Sequence, residues 1–499
     1  MNFNVRRGSL QRNTSPLTSS DSKVERDPGE EGALPIEVRL NRTLYITELL
    51  IGSNKDRHQV LVDTGSSDLW FMSSDVYCLA STMKQEEGRG GKSELQSREL
   101  AQNQPMSKRS LKDNQSANSN LVNLADFLGE TEYPDPGNEI VSTDSNPITY
   151  NETNICKFHG SFNTEESDTF VHNNTGPFET NYADDTYAKG IWGYDTVGIG
   201  NTSIANLNFA VVNESSSDFG VLGLGLQLWE SVENLSHMYE NLPMKLKSVG
   251  VIDKAMYSLY LDNADALSGT VLFGAVDHAK YEGTLETLPV RKTYDEDAHP
   301  TKFQVMINQL TINNKTESLE ILVGSDYAVL DSSSTLSYFR KSQIRDIVKT
   351  LNGQFSSFAG AYVIDCSYKN SESTLDITFT NKTIRVPVSD LVIESPLNST
   401  CYLGILEQSV GSLYILFGDN ILKNAYIVYD LEDYEIHIGQ AYYTDDEDIE
   451  TVEDNVPTAG GQNVTTVEGS RRSTAKNSGL SLENWSWTYT LGLLFLTII

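Results

Sequence analysis

The sequence predicts an all-β protein made of two related lobes that share one central site. Short apolar runs separated by turn residues fill the chain between residues 36 and 443, a pattern typical of many short strands. One phrase also occurs twice, as VLVDTGSSDLWF at residues 60–71 and as AVLDSSSTLSYF at residues 328–339. In both copies three apolar residues lead into an aspartate, Asp63 or Asp331, and small hydroxylated residues follow it. We therefore expect two pseudo-symmetric lobes, each contributing one aspartate to a cleft between them.

The predicted lobes span residues 36–245 and 246–443. A helical pattern stands out at residues 341–351, where four apolar side chains share one face. The first lobe contains an insertion at about residues 79–156, whose stretch 84–120 is almost entirely polar. Such a composition cannot bury enough apolar surface to fold alone, so we expect the insertion to be disordered.

The terminal segments differ from the lobes in composition. Residues 1–35 are polar and predicted to be a disordered, propeptide-like segment, and we expect a secretory signal upstream of Met1 because no apolar run follows it. Residues 444–476 are acidic and polar, which predicts a solvated stalk. Residues 477–499 contain small residues, a polar spacer and an apolar tail, which predicts a GPI-attachment signal at Asn477; the alternative is a hydrophobic degron or a weak tail anchor.

Composition places the chain on the secretory route. Glycosylation sequons recur along its length, and the four cysteines are divided equally between the two lobes. Four cysteines allow three pairings, of which the simplest keeps each bridge within one lobe, Cys78–Cys156 and Cys366–Cys401. The formal net charge of −32 excludes nucleic acid as an expected partner, because phosphate binding needs basic patches.

Two aspartates at one site indicate acid–base chemistry that needs neither a metal nor a cofactor. Carboxyl groups held about 3 Å apart cannot both ionise, so they share one proton and titrate as a pair. The ionised member can activate a water molecule, and the protonated member can stabilise an oxyanion. The chain carries no H-E-x-x-H and no G-x-S-x-G motif, which disfavours zinc and serine hydrolases.

The motifs resemble those of pepsin-like aspartic proteases, and they arrive in that family's order. Asp63-Thr64-Gly65-Ser66 resembles the first active-site loop, and Asp331-Ser332-Ser333-Ser334 resembles the second. The stretch from Tyr182 through Asp184 and Asp185 resembles the flap hairpin, while residues 219–225 and 416–419 resemble the segments that close the two loops. The resemblance implies a bilobal pepsin-like fold and an Asp63/Asp331 dyad, with Thr64, Gly65, Ser66, Ser332, Ser333 and Ser334 supporting it.

Within that family the chain is most similar to the yapsins, which are GPI-anchored surface proteases. The long insertion in the first lobe, the phrase FGAVDH at residues 273–278 and the anchored C-terminus carry this resemblance. It implies peptide substrates that are cut after Lys or Arg, and it makes Asp184 and Asp185 candidates for binding the basic side chain. The alternative is that these two carboxylates only solvate the tip of a hairpin.

Ser333 departs from the family pattern, which has glycine at this position. If the turn requires a positive φ, a serine there is strained by about 1–3 kcal/mol. If it requires only a backbone N–H directed at Asp331, serine supplies one. A strained site leaves open a catalytically weak pseudoprotease that binds peptides or cell-wall components at the surface.

The insertion contains a dibasic pair, Lys108-Arg109, which is a candidate processing site in exposed chain. A cut there leaves two chains joined by Cys78–Cys156 if that bridge forms. The expected protein is therefore a monomer of one chain or of two disulfide-linked chains. An incidental pair in a charged loop is the alternative.

Overall fold

The computed structural model describes residues 2–5, 45–78, 156–182, 186–263, 269–314, 317–322, 324–357, 359–395 and 399–462. The predicted processing site at Lys108 and Arg109, the flap carboxylates Asp184 and Asp185, and the attachment residue Asn477 lie outside this part. In the segment predicted to be disordered, Asn2–Val5 forms an edge strand, β1, paired with residues 269–272. Among the described residues, no helix is long and apolar enough to cross a bilayer.

The first lobe is a seven-stranded sheet. Its order is β2-β3-β8-β4-β7-β6-β5, and a further pairing between β2 and β6 joins strands from opposite sides of the sheet. The strands are β2 (Ile46–Ile51), β3 (Asp56–Asp63), β4 (Leu69–Cys78), β5 (Val171–Asn181), β6 (Tyr187–Ile199), β7 (Thr202–Ser215) and β8 (Gly220–Gly223).

The second lobe contains a five-stranded sheet and two four-stranded sheets. The first has the order β13-β16-β25-β17-β24, and the others have the orders β15-β14-β20-β21 and β18-β19-β23-β22. The strands are β13 (Gln304–Ile307), β14 (Gln309–Asn313), β15 (Ser318–Glu320), β16 (Asp326–Leu330), β17 (Ser337–Phe339), β18 (Gln354–Ser356), β19 (Ala361–Ile364), β20 (Thr374–Thr378), β21 (Thr383–Pro387), β22 (Val392–Glu394), β23 (Cys401–Leu403), β24 (Ile405–Glu407) and β25 (Ile415–Phe417).

A six-stranded sheet, of order β1-β10-β9-β26-β27-β12, and a two-stranded sheet of β11 and β28 complete the described fold. Their strands are β9 (Met256–Tyr260), β10 (Gly269–Phe273), β11 (Ala275–Asp277), β12 (Glu286–Pro289), β26 (Ala425–Asp430), β27 (Glu435–Gln440) and β28 (Ile449–Thr451). The α-helices are short: α1 (Leu242–Ser248), α2 (Lys341–Thr350) and α3 (Asp419–Leu422). Helix α2 lies where the sequence predicts one, and it buries Ile344, Ile347 and Val348.

The two lobes repeat one arrangement of strands around the aspartates. In the first lobe β3 runs parallel to β8, and β4 pairs antiparallel with β8 and parallel with β7. In the second lobe β16, β25, β17 and β24 make the same three pairings in the same senses. This confirms the all-β fold of two pseudo-symmetric lobes. The repeated phrase is therefore the sequence of one strand–loop–strand unit that the fold uses twice.

The interface between the lobes includes buried aromatic and polar contacts. The rings of Tyr257 and Tyr429, on neighbouring strands β9 and β26, stack with centroids 4.9 Å apart. The Tyr257 hydroxyl donates to the Leu224 carbonyl of the first lobe at 3.1 Å. The Tyr45 hydroxyl donates to the Asp419 carboxylate of the second. These contacts fix the lobes against each other close to the aspartate loops.

Both disulfides have the predicted pairing, Cys78–Cys156 and Cys366–Cys401, with Cα atoms 5.9 and 5.2 Å apart. The first brackets the insertion in the first lobe. Residues on either side of that insertion are thus covalently joined at its base.

The predicted stalk differs from the structure over its first part. Residues 445–462, here called the C-terminal strap, pack on the second lobe: β28 pairs with β11, and Val452 and Val456 are buried. The Asp448 N–H also donates to the Asp277 carboxylate at 2.8 Å. The acidic side chains of the strap remain exposed, which is why its composition predicts a solvated segment. Two buried valines and backbone hydrogen bonds nevertheless attach it to the lobe.

Candidate active site

Asp63 and Asp331 occupy equivalent positions at the ends of equivalent strands. Asp63 is the last residue of β3, and Asp331 follows β16 directly. The backbone at both sites is held by the neighbouring parallel strand: Leu224 N–H donates to the Asp63 carbonyl at 2.8 Å, and Asp331 N–H donates to the Phe417 carbonyl at 3.0 Å. Each aspartate therefore enters its loop from a strand that has a paired neighbour on both sides.

The two loops are joined by reciprocal hydrogen bonds between Thr64 and Ser332. The Thr64 N–H donates to the Ser332 hydroxyl oxygen at 3.2 Å, and the Ser332 N–H donates to the Thr64 hydroxyl oxygen at 2.9 Å. The two hydroxyls donate onward to backbone carbonyls of the opposite strand, at Leu330 and Val62. Both residues are buried, so this symmetric network of hydrogen bonds sets the spacing of the loops.

Each carboxylate accepts hydrogen bonds from its own loop. Asp63 accepts from the Gly65 N–H at 2.7 Å and from the Ser66 hydroxyl at 2.5 Å. Asp331 accepts from the Ser333 N–H at 2.9 Å and from the Ser334 hydroxyl at 2.9 Å. Backbone and hydroxyl donors of Gly65, Ser66, Ser333 and Ser334 thus hold both carboxylates in fixed orientations.

Asp331 is close enough to Asp63 to affect the ionisation of that carboxyl. Gly65, which binds Asp63, lies so near the other loop that a Cβ built on it would be 2.7 Å from Asp331 Oδ1. Burial and the charge of Asp331 raise the pKa of Asp63 to about 7, against the hydrogen bonds from Ser66 and Gly65. Asp63 therefore keeps a proton in mildly acidic solution.

Ser333 occupies its position without a left-handed backbone. Among the described residues, Ser333 is not one of those with a positive φ. The backbone strain that a serine would suffer in a left-handed conformation therefore does not arise. Its N–H binds Asp331, which is the second of the two alternatives. Its hydroxyl adds a contact that a glycine lacks, donating to Asp331 Oδ1 at 2.7 Å.

Tyr182 lies at the entrance to the flap and contacts the first active-site loop. Its hydroxyl accepts a hydrogen bond from the Trp70 indole N–H at 2.8 Å, and its N–H donates to the Thr186 carbonyl, which closes the base of the hairpin. Burial raises the pKa of the Tyr182 hydroxyl well above its usual value, and the charge of Asp63 adds to this. Tyr182 is therefore neutral and close to the carboxylates.

A second buried acidic group beside the site was not given a role from the sequence. Asp68, five residues after Asp63, accepts from the Tyr239 hydroxyl at 2.7 Å and from the Ser231 N–H at 2.9 Å. Glu230 accepts from the Tyr239 N–H at 3.1 Å, and burial followed by the charge of Asp68 raises its pKa well above the usual value. These contacts hold residues 230–239 against the loop. No sequence signal separates them from exposed acids, because their burial depends on tertiary packing.

One group among the described residues has donor atoms close enough for a metal ion. Ligand atoms of Asp430 on β26 and of Glu435 and His437 on β27 lie within 4.8 Å of one another. However, the ammonium of Lys254 lies 3.0 Å from the Asp430 carboxylate and already supplies a positive charge there. We assign no metal to this group.

Comparison with known proteins identifies a family. Residues 44–441 match the family model described as eukaryotic aspartyl protease, a range that includes both loops, the flap and the closing segments.

Several curated relatives match over most of this chain. It is 43% identical to "Secreted aspartic protease 9" of Candida albicans over 474 residues, which are 91% of this chain and 86% of the relative. It is 35% identical to "Aspartic proteinase MKC7" of Saccharomyces cerevisiae over 92% of this chain and 76% of the relative. It is 36% identical to "Aspartic proteinase yapsin-3" of the same yeast over 61% of this chain and 62% of the relative.

Proposed function

The chain belongs to the eukaryotic aspartyl protease family and is an aspartic-type endopeptidase of yapsin type, and from this we propose that Asp63 and Asp331 are its catalytic dyad. The observation that carries the proposal is the meeting of the two loops. Reciprocal Thr64–Ser332 hydrogen bonds join the loops, and the pKa of Asp63 is raised to about 7 by burial and by the charge of Asp331. Paired carboxyls of this kind share a proton, as is established for aspartic proteases as a class.

The arrangement supports hydrolysis by an activated water molecule. Asp63 is the more buried carboxyl and burial raises its pKa to about 7, so we assign the proton of the pair to Asp63 and the role of general base to Asp331. The carboxylate of Asp331 accepts a proton from water as the water attacks the peptide carbonyl. The Asp63 carboxyl donates a hydrogen bond to the oxyanion that develops, and its proton passes to the leaving amine as the intermediate collapses. Tyr182, on the flap, covers the cleft and excludes bulk water when a peptide is bound.

The dyad is tested with the secreted part of the chain and a peptide containing Lys-Arg at pH 4–6. Asp63→Asn and Asp331→Asn each remove one ionisable group while keeping the shape of the side chain. We expect kcat to fall by about 10³-fold or more in both variants, because a general acid or base is lost. A matched control is Asp445→Asn, which changes an exposed carboxylate in the C-terminal strap. Unchanged cleavage in either dyad variant contradicts the assignment.

The proposed substrates are peptides with single or paired basic residues. The net charge of −32 supports attraction of cationic substrates, and the resemblance to yapsins supports cleavage after Lys or Arg. Asp184 and Asp185, which lie in the sequence between the hydrogen-bonded residues Tyr182 and Thr186, are the candidates for contacting the basic side chain. Replacing both with Asn is expected to lower kcat/KM for a Lys-Arg peptide more than for a matched Leu-Leu peptide. Equal losses on both peptides contradict a role in specificity; the pair Asp445→Asn/Asp446→Asn serves as control.

The proposed location is the cell surface. Relatives named as secreted proteases support a secreted or surface protein, and the C-terminal sequence supports GPI attachment at Asn477. Enzymatic cleavage of GPI anchors is expected to release the protein from membranes, and replacing Asn477 with a bulky residue is expected to prevent attachment. Retention of the protein on membranes after anchor cleavage contradicts the proposal.

Processing of the insertion is proposed at Lys108-Arg109. Because Cys78–Cys156 brackets the insertion, a cut protein is expected to migrate as one species without reductant and as two fragments after reduction. The double substitution Lys108→Ala/Arg109→Ala is expected to leave one full-length band under both conditions. Two fragments from that variant place the cut elsewhere.

A further inference from the structure

A lysine of the second lobe lies between aromatic rings of both lobes. The ammonium of Lys302 is 4.0 Å from the centre of the Trp229 ring and 4.8 Å from the centre of the Tyr414 ring. It also donates a hydrogen bond to the Tyr414 hydroxyl at 2.6 Å. Trp229 belongs to the first lobe, and the other two residues belong to the second. These three residues, here called the interlobe clasp, therefore join the lobes through a cation.

The clasp is a directional contact that is largely closed to water. Lys302 is 8% exposed and Tyr414 is 6% exposed, while Trp229 is partly buried. An ammonium is attracted to the face of an aromatic ring, and this attraction is stronger where water is excluded. Apolar packing has no such preferred direction. The ammonium must meet a ring face of one lobe and a hydroxyl of the other, so the clasp restricts the orientation of the lobes.

On the side of the first lobe, the clasp is connected to the loop that begins at Asp63. Trp229 ends a short 3₁₀ helix, and its N–H donates to the Leu226 carbonyl at 2.9 Å. The same carbonyl accepts a hydrogen bond from the hydroxyl of Ser67 in the active-site loop, at 2.6 Å. A displacement of Trp229 is therefore transmitted to this loop through a single carbonyl group.

On the side of the second lobe, the clasp adjoins the strand that leads to Asp331. The carbonyl of Phe303, the residue after Lys302, accepts a hydrogen bond from the Leu330 N–H at 3.2 Å. Leu330 is the last residue of β16 and directly precedes Asp331. Tyr414 directly precedes β25, which pairs with β16 along its other edge. Both second-lobe members of the clasp are therefore attached to the strand that positions Asp331.

The clasp acts at a different place from the hydrogen bonds between Thr64 and Ser332. Those hydrogen bonds join the two loops at one point, and a joint at one point leaves the lobes able to rotate about it. A contact outside the loops opposes this rotation. The clasp is such a contact, and it adds to those that Tyr257 and Tyr45 make between the lobes.

We propose that Lys302 is a positioning residue for the two aspartates. Its ammonium, held between Trp229 and Tyr414, fixes the placement of one lobe against the other, and this placement sets how the carboxyls of Asp63 and Asp331 meet. The inference rests on the proposed Asp63/Asp331 dyad. It gives a buried cation a role in the reaction without a part in the chemistry.

The test measures kcat and KM for a Lys-Arg peptide in Lys302→Met, Trp229→Leu and the double variant, together with their melting temperatures. Methionine is similar in length to lysine but carries no charge, and leucine removes the ring. We expect kcat to fall about tenfold in each single variant, because small displacements of reacting groups slow the chemical step. The double variant should lose no more than either single variant, because both substitutions remove the same contact.

Two further variants show whether the positive charge at this position is responsible. Lys302→Arg keeps a cation that binds aromatic faces and is expected to keep kcat within about threefold of the wild type. Lys341→Met is the matched control, since it removes a lysine of the same lobe whose side chain is 80% exposed. The control should leave kcat and KM unchanged. A kcat of Lys302→Arg as low as that of Lys302→Met contradicts a role for the cation.

Three other results would overturn the proposal. A purely structural contact lowers the melting temperature and leaves the kcat of the folded enzyme unchanged. A higher KM with unchanged kcat assigns Lys302 to peptide binding, and losses that multiply in the double variant show that Lys302 and Trp229 act separately. Trp229 is only partly buried, so Trp229→Leu decides the question if Lys302→Met does not fold. Failure of the dyad is recognised separately, because Asp63→Asn or Asp331→Asn then retains activity.

Discussion

At the scale of single residues, the first active-site loop has no room for a side chain at Gly65. The need is steric, since the φ of Gly65 lies outside the left-handed range and the nearest atoms to a Cβ all belong to the Asp331 carboxylate. The loop approaches the opposite aspartate so closely that only a hydrogen fits between them. The spacing of the two aspartates therefore depends on the absence of a side chain at Gly65 as well as on the hydrogen bonds between Thr64 and Ser332.

Gly65→Ala is expected to lower kcat about 100-fold, because a Cβ that would lie 2.7 Å from Asp331 Oδ1 forces the loops apart and displaces the carboxylates. The measurement is kcat and KM with a Lys-Arg peptide, together with the melting temperature. Gly283→Ala is the control: its Cβ meets nothing within 4 Å, but its φ of +68° strains an alanine by about 1–2 kcal/mol. That control should melt earlier and keep its kcat. Full activity of Gly65→Ala contradicts the steric argument.

The loop residues could be predicted from the sequence, while their buried neighbours could not. Asp63 and Asp331 stand out because each follows an apolar strand and precedes small hydroxylated residues, a pattern written twice in one chain. Asp68 and Glu230 have no such pattern. Their burial depends on Tyr239, which is far from Asp68 in sequence and reaches it only in the folded lobe. Local patterns therefore identify the chemistry, and long-range packing decides which other acids are buried beside it.

At the scale of elements, the C-terminal strap shows where composition misleads. Its acidic side chains are exposed, as a stalk would have them, but Val452 and Val456 are buried against the second lobe and Glu450 binds His278 at 2.8 Å. Two apolar residues four apart in an acidic run are too few for a periodic signal. Pairing of β28 with β11 supplies the rest of the attachment through backbone hydrogen bonds that no side-chain pattern reveals.

A chain that ends at residue 443 is expected to be less stable than one that ends at residue 462. The shorter chain loses the burial of Val452 and Val456, about 2 kcal/mol for each side chain, and uncovers the edge of β11. The measurement is the melting temperature and the urea midpoint of both truncated forms beside the full secreted chain. The form ending at 462 should match the full chain. Equal stability of all three forms would show that the strap contributes nothing to the fold.

At the scale of the whole molecule, buried carboxyls and buried histidines have opposite effects on the stability of the fold as the pH changes. Burial raises the pKa of Asp63 to about 7 and raises those of Asp68 and Glu230. These carboxyls stabilise the fold fully below their pKa in the unfolded state, which is near 4. The stabilisation is lost as the pH rises through their higher pKa in the folded state. Burial lowers the pKa of His58 and His437 to about 4. Their effect is complete above about pH 6.5 and is lost as pH falls toward 4.

The pH ranges over which the carboxyls and histidines titrate predict that the fold is most stable in mildly acidic solution and loses stability above about pH 6.5. Between pH 4 and 6.5 the carboxyls and the histidines act in opposite directions, so the melting temperature should change little. Above pH 6.5 the histidines are neutral in both the folded and unfolded states, and only the loss from the buried carboxyls remains. Repulsion within a chain of net charge −32 acts in the same direction. The same buried carboxyls that suit the site to acid therefore limit the fold at neutral pH.

The decisive measurement is the melting temperature from pH 5 to 8 for the wild type and for Glu230→Gln, at one scan rate. Glu230 is buried and its pKa is raised well above the usual value, so its ionisation as the pH rises charges a site closed to water. Glutamine keeps the acceptor for the Tyr239 N–H and cannot ionise, so the variant should melt at a more constant temperature between pH 6.5 and 8. Glu320→Gln, at an exposed position on β15, should leave the wild-type slope unchanged. If the melting temperature of Glu230→Gln falls with pH as steeply as that of the wild type, the buried carboxyl contributes nothing to the loss of stability. The loss is then assigned to repulsion between surface charges.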